Sequence, residues 1–133
     1  MKTLPDWLCK LPIFKVALST YSKWQKKLAY RWTGTIEAQS SIGLRVEQNI
    51  EGWVMYIRAG FASCETNTML GILAYDEQED YWFIDRRSYQ TVDFLIPDGY
   101  GIDYGNAAIF YILNYNKKDI EVEFCVYGVL EQL

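Results

Sequence analysis

The feature that most constrains the fold is a period of two in the hydrophobic residues that follow residue 31. It is clearest in Asp119 to Val129, where apolar residues occupy every second position. Successive side chains of a strand point to opposite faces, so this alternation predicts a strand with one dry and one wet face. The predicted inner residues are Ile120, Val122, Phe124 and Val126, and the predicted outer residues are Glu121, Glu123, Cys125 and Tyr127.

The same period recurs in two more segments. In Glu51 to Phe61 it places Trp53, Met55, Ile57, Ala59 and Phe61 on one face, and in Gln90 to Ile96 it places Val92, Phe94 and Ile96 inward. Clusters of Gly, Pro, Asn and Asp separate such segments and are typical of turns. The predicted strands are 32–48, 51–61, 69–75, 81–85, 88–96, 100–104, 107–115 and 119–130.

Eight short strands at regular spacing predict an all-β antiparallel sandwich in residues 32–133 rather than alternating strands and helices. A single jelly roll, which is two Greek keys packed as a sandwich, fits this strand list. An up-and-down barrel fits it as well, and the sequence does not separate the two. We favour the jelly roll or a similar sandwich.

The first 31 residues, which we call the basic arm, follow a different period. Apolar residues recur at steps of three and four, at Leu18, Tyr21, Trp24, Leu28 and Trp32. This spacing predicts an amphipathic helix of about four turns. The helix either packs across an open end of its own sandwich or docks on a neighbouring subunit, a nucleic acid or an anionic membrane surface.

Charge is unevenly divided between the arm and the body. The whole chain has a formal net charge of -4, but residues 1–31 carry +6 and residues 32–133 carry -10. The arm either neutralises its own acidic body or binds a separate partner. Its candidate partner-binding residues are the apolar Tyr21, Trp24 and Leu28 and the basic Lys23, Lys26 and Lys27.

Most catalytic chemistry lacks its residues in this chain. The sequence has no histidine, which removes Ser-His-Asp and Cys-His nucleophiles and His-ligated metal sites. Its three cysteines, Cys9, Cys64 and Cys125, are odd in number and show no CxxC spacing. Glycine-rich nucleotide motifs are also absent from the sequence. A pair of carboxylates acting as a hydrolase is the remaining enzymatic alternative. We expect no enzyme, no cofactor and no small-molecule substrate.

Two acidic loops are candidates for calcium, which prefers carboxylate and carbonyl oxygens. The better one is PDGYGIDYGN, with Asp98, Asp103 and Asn106, because its glycines permit a wrapped backbone. The other holds Asp76, Glu77, Glu79 and Asp80. Neither matches a known ligand spacing, and acidic residues in tight turns usually only form the turn.

Aromatic residues make up 17% of the chain, an unusual share. Tyrosine and tryptophan favour strands, and they also favour interfaces, where one end of the ring is dry and the other wet. A stacking platform for sugars and a subunit interface are both compatible with exposed rings, and we favour the interface. The rings that could form such a platform are Tyr56, Trp82, Tyr100, Tyr104, Tyr111 and Tyr115. Of these, the candidate surface aromatics are Tyr56, Trp82, Tyr111 and Tyr115.

These observations together predict a structural protein of an assembly: a homo-oligomeric jelly-roll coat, vertex or decoration subunit of a virus or phage particle. A carbohydrate- or small-ligand-binding sandwich is the alternative. The first residues are interrupted by Pro5, Asp6, Lys10 and Pro12 and do not form the apolar segment of a signal peptide. We therefore expect synthesis in the cytoplasm and incorporation into a virion.

Overall fold

The computed structural model describes residues 25–133, and every regular element in this range is a strand. Alternating apolar and polar residues, many of them β-branched or aromatic, favour extended backbone here. The strands are β1 (Gln25–Ile36), β2 (Ser40–Gln48), β3 (Trp53–Cys64), β4 (Met69–Asp76), β5 (Tyr81–Tyr89), β6 (Thr91–Ile102), β7 (Asn106–Asn114) and β8 (Ile120–Gln132). Within this range no helix has the length and apolar character needed to span a membrane.

The strands form two four-stranded antiparallel sheets. The first sheet has the order β1-β8-β3-β6, and the second has the order β2-β7-β4-β5. Six of the seven connections therefore cross from one sheet to the other, and only β4 and β5 are consecutive and paired. The prediction of an eight-stranded antiparallel sandwich is confirmed. The up-and-down barrel is wrong, because its consecutive strands would pair throughout.

The core lies between the inner faces of the two sheets. Phe110 of β7 and Phe124 of β8 are fully buried, with ring centroids 5.4 Å apart, and they join the two sheets at the centre. Phe94 of β6 packs on Phe110 with a centroid distance of 6.1 Å. Burial of each such ring contributes about 1.5–3 kcal/mol, so this cluster is a major source of the sandwich's stability.

Two buried amides satisfy the backbone at opposite ends of the sandwich. Asn114, which is 2% exposed, donates to the backbone oxygens of Ile36, Glu37 and Lys118 and accepts from the amide of Asn116. Gln48, also 2% exposed, donates to the backbone oxygen of Trp53 and accepts from the amide of Ile50 at the turn between β2 and β3. Each side chain replaces the water that these buried polar groups would otherwise need.

The predicted inner face of β3 is correct only up to Ile57. The pairing of β3 with both of its neighbours shifts between Ile57 and Ala59, which is a β-bulge at Arg58. After the bulge the alternation is inverted, so Ala62 is buried and Phe61 faces outward. The inward placement predicted for Ala59 and Phe61 is therefore wrong, because one extra residue sends every later side chain to the opposite face.

The predicted helix of the arm is wrong from Gln25 onward, where the chain is β1. In β1 every second residue faces the core: Leu28 is buried, and Tyr30 and Trp32 pack against the core cluster. The step of four from Leu28 to Trp32 fits a helix and a strand equally well, and pairing with β8 decides for the strand. The part of the helix prediction before residue 25 lies outside the described residues.

Two strand boundaries also differ from the prediction. The predicted long strand 32–48 is divided into β1 and β2 by a turn at residues 37–39, where Gln39 has a φ of 49°. The predicted strands 88–96 and 100–104 are mostly one strand, β6. The sandwich described here begins with Gln25, whereas the predicted domain boundary stood at residue 32.

Candidate interaction surface

The outer face of the second sheet carries a contiguous set of large apolar side chains, which we call the aromatic face. Its members point away from the core, because their strand neighbours Ala74, Phe110 and Ile112 are the fully buried ones. Outward positions of an antiparallel sandwich strand are ordinarily polar. The aromatic face consists of Leu73, Tyr75, Trp82, Ile109, Tyr111 and Leu113.

Trp82 is the centre of the ring contacts on this face. Its ring lies 4.9 Å from that of Tyr75 and 5.8 Å from that of Tyr111, both in tilted arrangements. Tilted pairs at these separations are favourable because the ring edge of one meets the face of the other. Even so, Trp82 remains 51% exposed. The three rings therefore form a preorganised surface and not a covered cluster.

The turn between β4 and β5 is fixed by a buried carboxylate. Asp76 is 3% exposed, and one of its oxygens accepts from the amides of Gln78 at 3.0 Å and Glu79 at 3.3 Å. Its other oxygen accepts from the hydroxyl of Tyr100 at 2.8 Å. Asp76 is a candidate calcium ligand from its acidic loop, but both of its oxygens accept hydrogen bonds that fix the turn.

Tyr100 ties this turn to the opposite sheet. It comes from β6 of the first sheet, and its ring stacks on Phe83 of β5 with a centroid distance of 4.0 Å and an interplanar angle of 5°. Burial raises the pKa of Tyr100 well above its ordinary value of 10.0, and its hydrogen bond to Asp76 raises the pKa further. Tyr100 is thus held as a neutral donor beneath the strand that carries Trp82.

The same turn anchors the polar border of the aromatic face. Glu77 accepts from the guanidinium of Arg45 at 3.0 and 2.8 Å, and Glu47 also binds Arg45. The hydrogen bond from Arg45 lowers the pKa of Glu77. Asp80, in the same turn, accepts from the hydroxyl of Tyr75. The turn therefore orients one cation and one ring of this surface.

Three of the four predicted surface aromatics meet on this side of the molecule. Trp82 and Tyr111 belong to the aromatic face, and Tyr115 lies beside it, with its ring over Gly71. Tyr56 does not, because it lies in β3 on the outer face of the first sheet. Tyr75 was not among the predicted surface aromatics, although its odd spacing from the inner residues Ile72 and Ala74 in β4 indicates an outward position.

The candidate residues of the arm are separated by the structure. Tyr21, Lys23 and Trp24 lie outside the described residues. Lys26 and Lys27 lie in β1, and Lys27 is half-buried. Leu28 is 6% exposed and belongs to the core, so its predicted role as an exposed partner contact is not what the fold shows.

The candidate calcium residues are distributed over two segments. Asp98 lies within β6, whereas Asp103 and Asn106 flank the turn before β7, where the amide of Asn106 donates to the backbone oxygen of Asp103 at 3.1 Å. Among residues 25–133 no three Asp, Glu, Cys or His side chains come together as a candidate metal site. Calcium binding in this loop stays a prediction.

A cleft of about 500 Å³ lies on the first sheet beside the bulge of β3. Arg86 of β5 and Asp93 of β6 are its charged lining residues, and Leu95 and Tyr127 supply apolar walls. A two-carboxylate hydrolase needs a second acid in reach of the first. This cleft offers only Asp93, so it gives the hydrolase alternative no support.

Comparison with known proteins shows no family. No family model matches the chain, and neither does any curated protein sequence. Among solved structures it is similar to the Yersinia pseudotuberculosis-derived mitogen (16% identity, 74% of this chain and 83% of that one, TM-score 0.47). It is also similar to a Bacillus endospore appendage protein of disulfide-linked pili (17% identity, 82% and 87%, 0.40). A third is the extra small virus VLP of the prawn Macrobrachium rosenbergii (13% identity, 75% and 79%, 0.30). These similarities are too weak to support a function.

Proposed function

We propose that this chain is a non-enzymatic structural protein, a single-jelly-roll subunit that associates with copies of itself and with other subunits of a virion. In that particle it would serve as a vertex, coat or decoration protein of a virus or phage. The aromatic face is the observation that carries this proposal. The strand order and the charge of the chain add to it.

The strand order favours the jelly roll among sandwiches. Each strand has a partner such that the two numbers sum to nine: β1 with β8, β2 with β7, β3 with β6 and β4 with β5. A long antiparallel hairpin rolled into two sheets produces these pairs, with alternate pairs in alternate sheets. Viral capsid proteins are one of the groups that use such rolls, which supports the virion at the level of fold analogy.

The aromatic face supports association more directly. Exposed contiguous apolar surface on a folded domain marks sites of contact with other molecules. Tyrosine and tryptophan are enriched in the cores of protein interfaces, while aspartate, glutamate and lysine are depleted there. Trp82, Tyr75 and Tyr111 fit this composition, and Arg45 with Glu77 fits a polar rim.

Light scattering during size-exclusion chromatography of the recombinant full chain tests the proposal. We expect a mass above the 15.6 kDa of one chain that rises with protein concentration, and particles or oligomers in negative-stain micrographs. A chain that stays monomeric at every accessible concentration would contradict it. The virion itself is tested by genomic position, since the neighbouring genes should encode other particle proteins.

Carbohydrate binding is a second candidate for the same surface. Trp82 is tilted against Tyr75 and Tyr111 and remains half exposed, which leaves its ring free to stack on a sugar. The neighbouring Leu73 and Ile109, however, have side chains without hydrogen-bonding groups. A glycan array separates the two candidates. The assembly proposal predicts no glycan binding. If the chain bound a glycan and Trp82→Ala abolished this binding, carbohydrate binding would be the better explanation of the aromatic face.

The basic arm adds a proposal about an anionic partner, either nucleic acid or a membrane surface. Lys23→Ser, Lys26→Ser and Lys27→Ser combined should weaken binding to single-stranded nucleic acid and flatten its salt dependence, because each lysine releases about one counterion. Lys117→Ser with Lys118→Ser, at the opposite end of the sandwich, is the matched control. Filter binding at several salt concentrations measures both. Unchanged binding in the triple variant would show that these lysines do not contact the nucleic acid.

A further inference from the structure

We propose that the aromatic face binds a second copy of this chain face to face, about a twofold axis that runs parallel to the strands. This rests on the proposed function, because it names the partner and the geometry of one contact in the assembly. The support comes from the strand register of the second sheet, which places large and small side chains at opposite borders.

The outward residues of the second sheet form three rows across the four strands. The rows, read from β2 through β7 and β4 to β5, are Arg45, Ile109, Tyr75 and Trp82; Gly43, Tyr111, Leu73 and Asp85; and Ser41, Leu113, Gly71 and Arg87. The middle positions of the first two rows are large and apolar. The two borders differ from each other in size.

The two borders differ most in the third row, where Ser41 on β2 is small and Arg87 on β5 is large and exposed. In the second row the space above Gly43 is taken by the ring of Tyr111, with one atom 3.2 Å from the position of a Cβ there. In the first row both borders are large, with Arg45 on β2 and Trp82, which is 51% exposed, on β5. The third row therefore forms a step from β2 up to β5.

A twofold axis parallel to the strands is the symmetry that fits this step to itself. It places β2 of one copy opposite β5 of the other and keeps each row opposite the same row, so Arg87 of each copy meets Ser41 of the other and the contact occurs twice. A twofold axis perpendicular to the strands would instead set β5 against β5, where the large side chains Trp82 and Arg87 would meet. The shape of the border strands thus favours the parallel axis.

The same symmetry also matches the chemistry of the first row. Trp82 of one copy faces Arg45 of the second copy, whose guanidinium is already held by Glu77 and Glu47. A guanidinium over an indole ring is a favourable cation–π contact. Because the ion pairs hold Arg45 in place before association, little side-chain freedom remains to be lost on binding.

The size of the face suits a reversible contact. Four strands of about eight residues cover roughly 19 by 27 Å, or about 500 Å² per copy and about 1,000 Å² in total. Specific interfaces begin near this total area. We therefore expect a dimer that dissociates on dilution, which is suited to a subunit that is later built into a larger particle.

Alanine substitution tests the face. Trp82→Ala should weaken self-association of the full chain at least tenfold in sedimentation equilibrium, as loss of a tryptophan anchor commonly does in an interface. Leu95→Ala is the matched control, because Leu95 is 69% exposed but lies on the outer face of the first sheet. Circular dichroism should show both variants folded.

Thiol cross-linking tests the symmetry. Chains with Ser41→Cys are mixed with chains with Arg87→Cys and treated with a bismaleimide about 10 Å long, the distance between packed sheets. Mixing two single variants removes cross-links within one chain. We expect covalent dimers in the mixture and few in either variant alone. The unsubstituted chain is the control for cross-links through the natural cysteines. The parallel axis would be contradicted if either variant alone gave covalent dimers and the mixture gave no more of them than the single variants.

The outcomes separate this inference from the proposed function. A chain that is monomeric at every concentration overturns both. A chain that associates, but equally well with Trp82→Ala, overturns the aromatic face as the contact and leaves the assembly proposal standing. Weaker association with Trp82→Ala, together with a cross-link only in the mixture, supports both.

Discussion

The role assigned to Leu28 changes once its neighbours in the fold are known. In the sequence it belongs to a helical stripe and is a candidate partner contact, but in the fold it lies opposite Gly128 on the inner face of β1 and is 6% exposed. A step of four residues returns a side chain to the same face of a helix and also of a strand. The stripe alone therefore does not distinguish the two elements.

Leu28→Ala should accordingly lower the free energy of unfolding by about 3 kcal/mol, because it removes buried methyl groups and leaves a cavity. Urea denaturation followed by tryptophan fluorescence measures this change. Leu95→Ala, at a residue that is 69% exposed, should change the free energy by less than about 0.5 kcal/mol. Equal effects of the two substitutions would contradict the placement of Leu28 in the core.

Tyr100 makes stability depend on alkaline pH. Its pKa is raised in the folded chain, mainly by burial and then by Asp76, so the folded state retains a proton that the unfolded state loses above its ordinary pKa of 10.0. The stabilisation is therefore complete below pH 10 and is lost as the pH rises beyond it. This sign follows because the unfolded chain binds fewer protons there.

Tyr100→Phe should remove this dependence. We expect a loss of about 1–2 kcal/mol near neutral pH, since Asp76 loses a donor, and a shallower fall in stability from about pH 10 upward than in the unsubstituted chain. Urea midpoints at several pH values measure both effects. Tyr104→Phe, at a tyrosine that is 53% exposed, serves as the control and should retain the steeper fall.

At the scale of single residues the sequence predicted side-chain chemistry better than side-chain surroundings. Asp76 was placed correctly among the turn-forming acids, but nothing local shows that Tyr100, 24 residues later, donates to it. Asn114 likewise stands in a recognised turn cluster, yet its partner Ile36 is 78 residues away. Such contacts depend on which strands are neighbours, and this information is absent from a local pattern.

Among the elements, β3 shows the limit of a period of two. Its first half follows the predicted alternation, and the bulge at Arg58 then inverts the inner and outer faces. Apolar residues occur on both sides of the bulge, so the sequence predicts one uninterrupted apolar face. The prediction failed where both faces of a strand carry apolar residues.

The bulge also explains why β8 needs a glycine opposite it. A Cβ at Gly128 would overlap the backbone oxygen of Tyr56, just before the bulge. Gly128→Ala should therefore destabilise the fold by about 3 kcal/mol or prevent folding altogether, because backbone cannot move aside as a side chain can. Thermal denaturation of purified protein, or its yield in soluble form, measures this.

Gly71→Ala is the matched control for that substitution. A Cβ at Gly71 would come close to the ring of Tyr115 at 3.1 Å, and this exposed side chain can rotate away; the contact of the added Cβ with the Cβ of Leu113 at 3.5 Å is an ordinary one. We expect its effect to stay within about 1 kcal/mol. If Gly128→Ala were as mild as Gly71→Ala, β3 and β8 would not approach each other as closely as described.

For the whole molecule, the number of strands was predicted correctly through two errors that cancel. One predicted strand, 32–48, is two strands, and two predicted strands, 88–96 and 100–104, are mostly one. The sandwich class was robust because it depends on alternation in many segments at once. The aromatic face was only partly predictable, because membership depends on the register between β4, β5 and β7.

The position of β1 determines which truncation removes the arm without damaging the β domain. Deletion of residues 1–24 leaves every described strand intact and should give a folded β domain. Deletion of residues 1–31 also removes the first seven of the twelve residues of β1, including Leu28, and should give an unstable or insoluble protein. Circular dichroism and one-dimensional NMR compare the two. A folded product of the longer deletion would show that this half of β1 is dispensable.

The position of β8 also determines the order in which this chain can mature. β8 is the last described strand to leave the ribosome, and it lies between β1 and β3, which are made first. Until it arrives, the first sheet lacks the strand that joins its two halves, and the backbone edges of β1 and β3 stay open to other nascent chains. The first sheet therefore closes only after β8 has left the ribosome, on the millisecond-to-second timescale of long-range β pairing. Chains made close together on one message are the ones most exposed to mispairing in that interval.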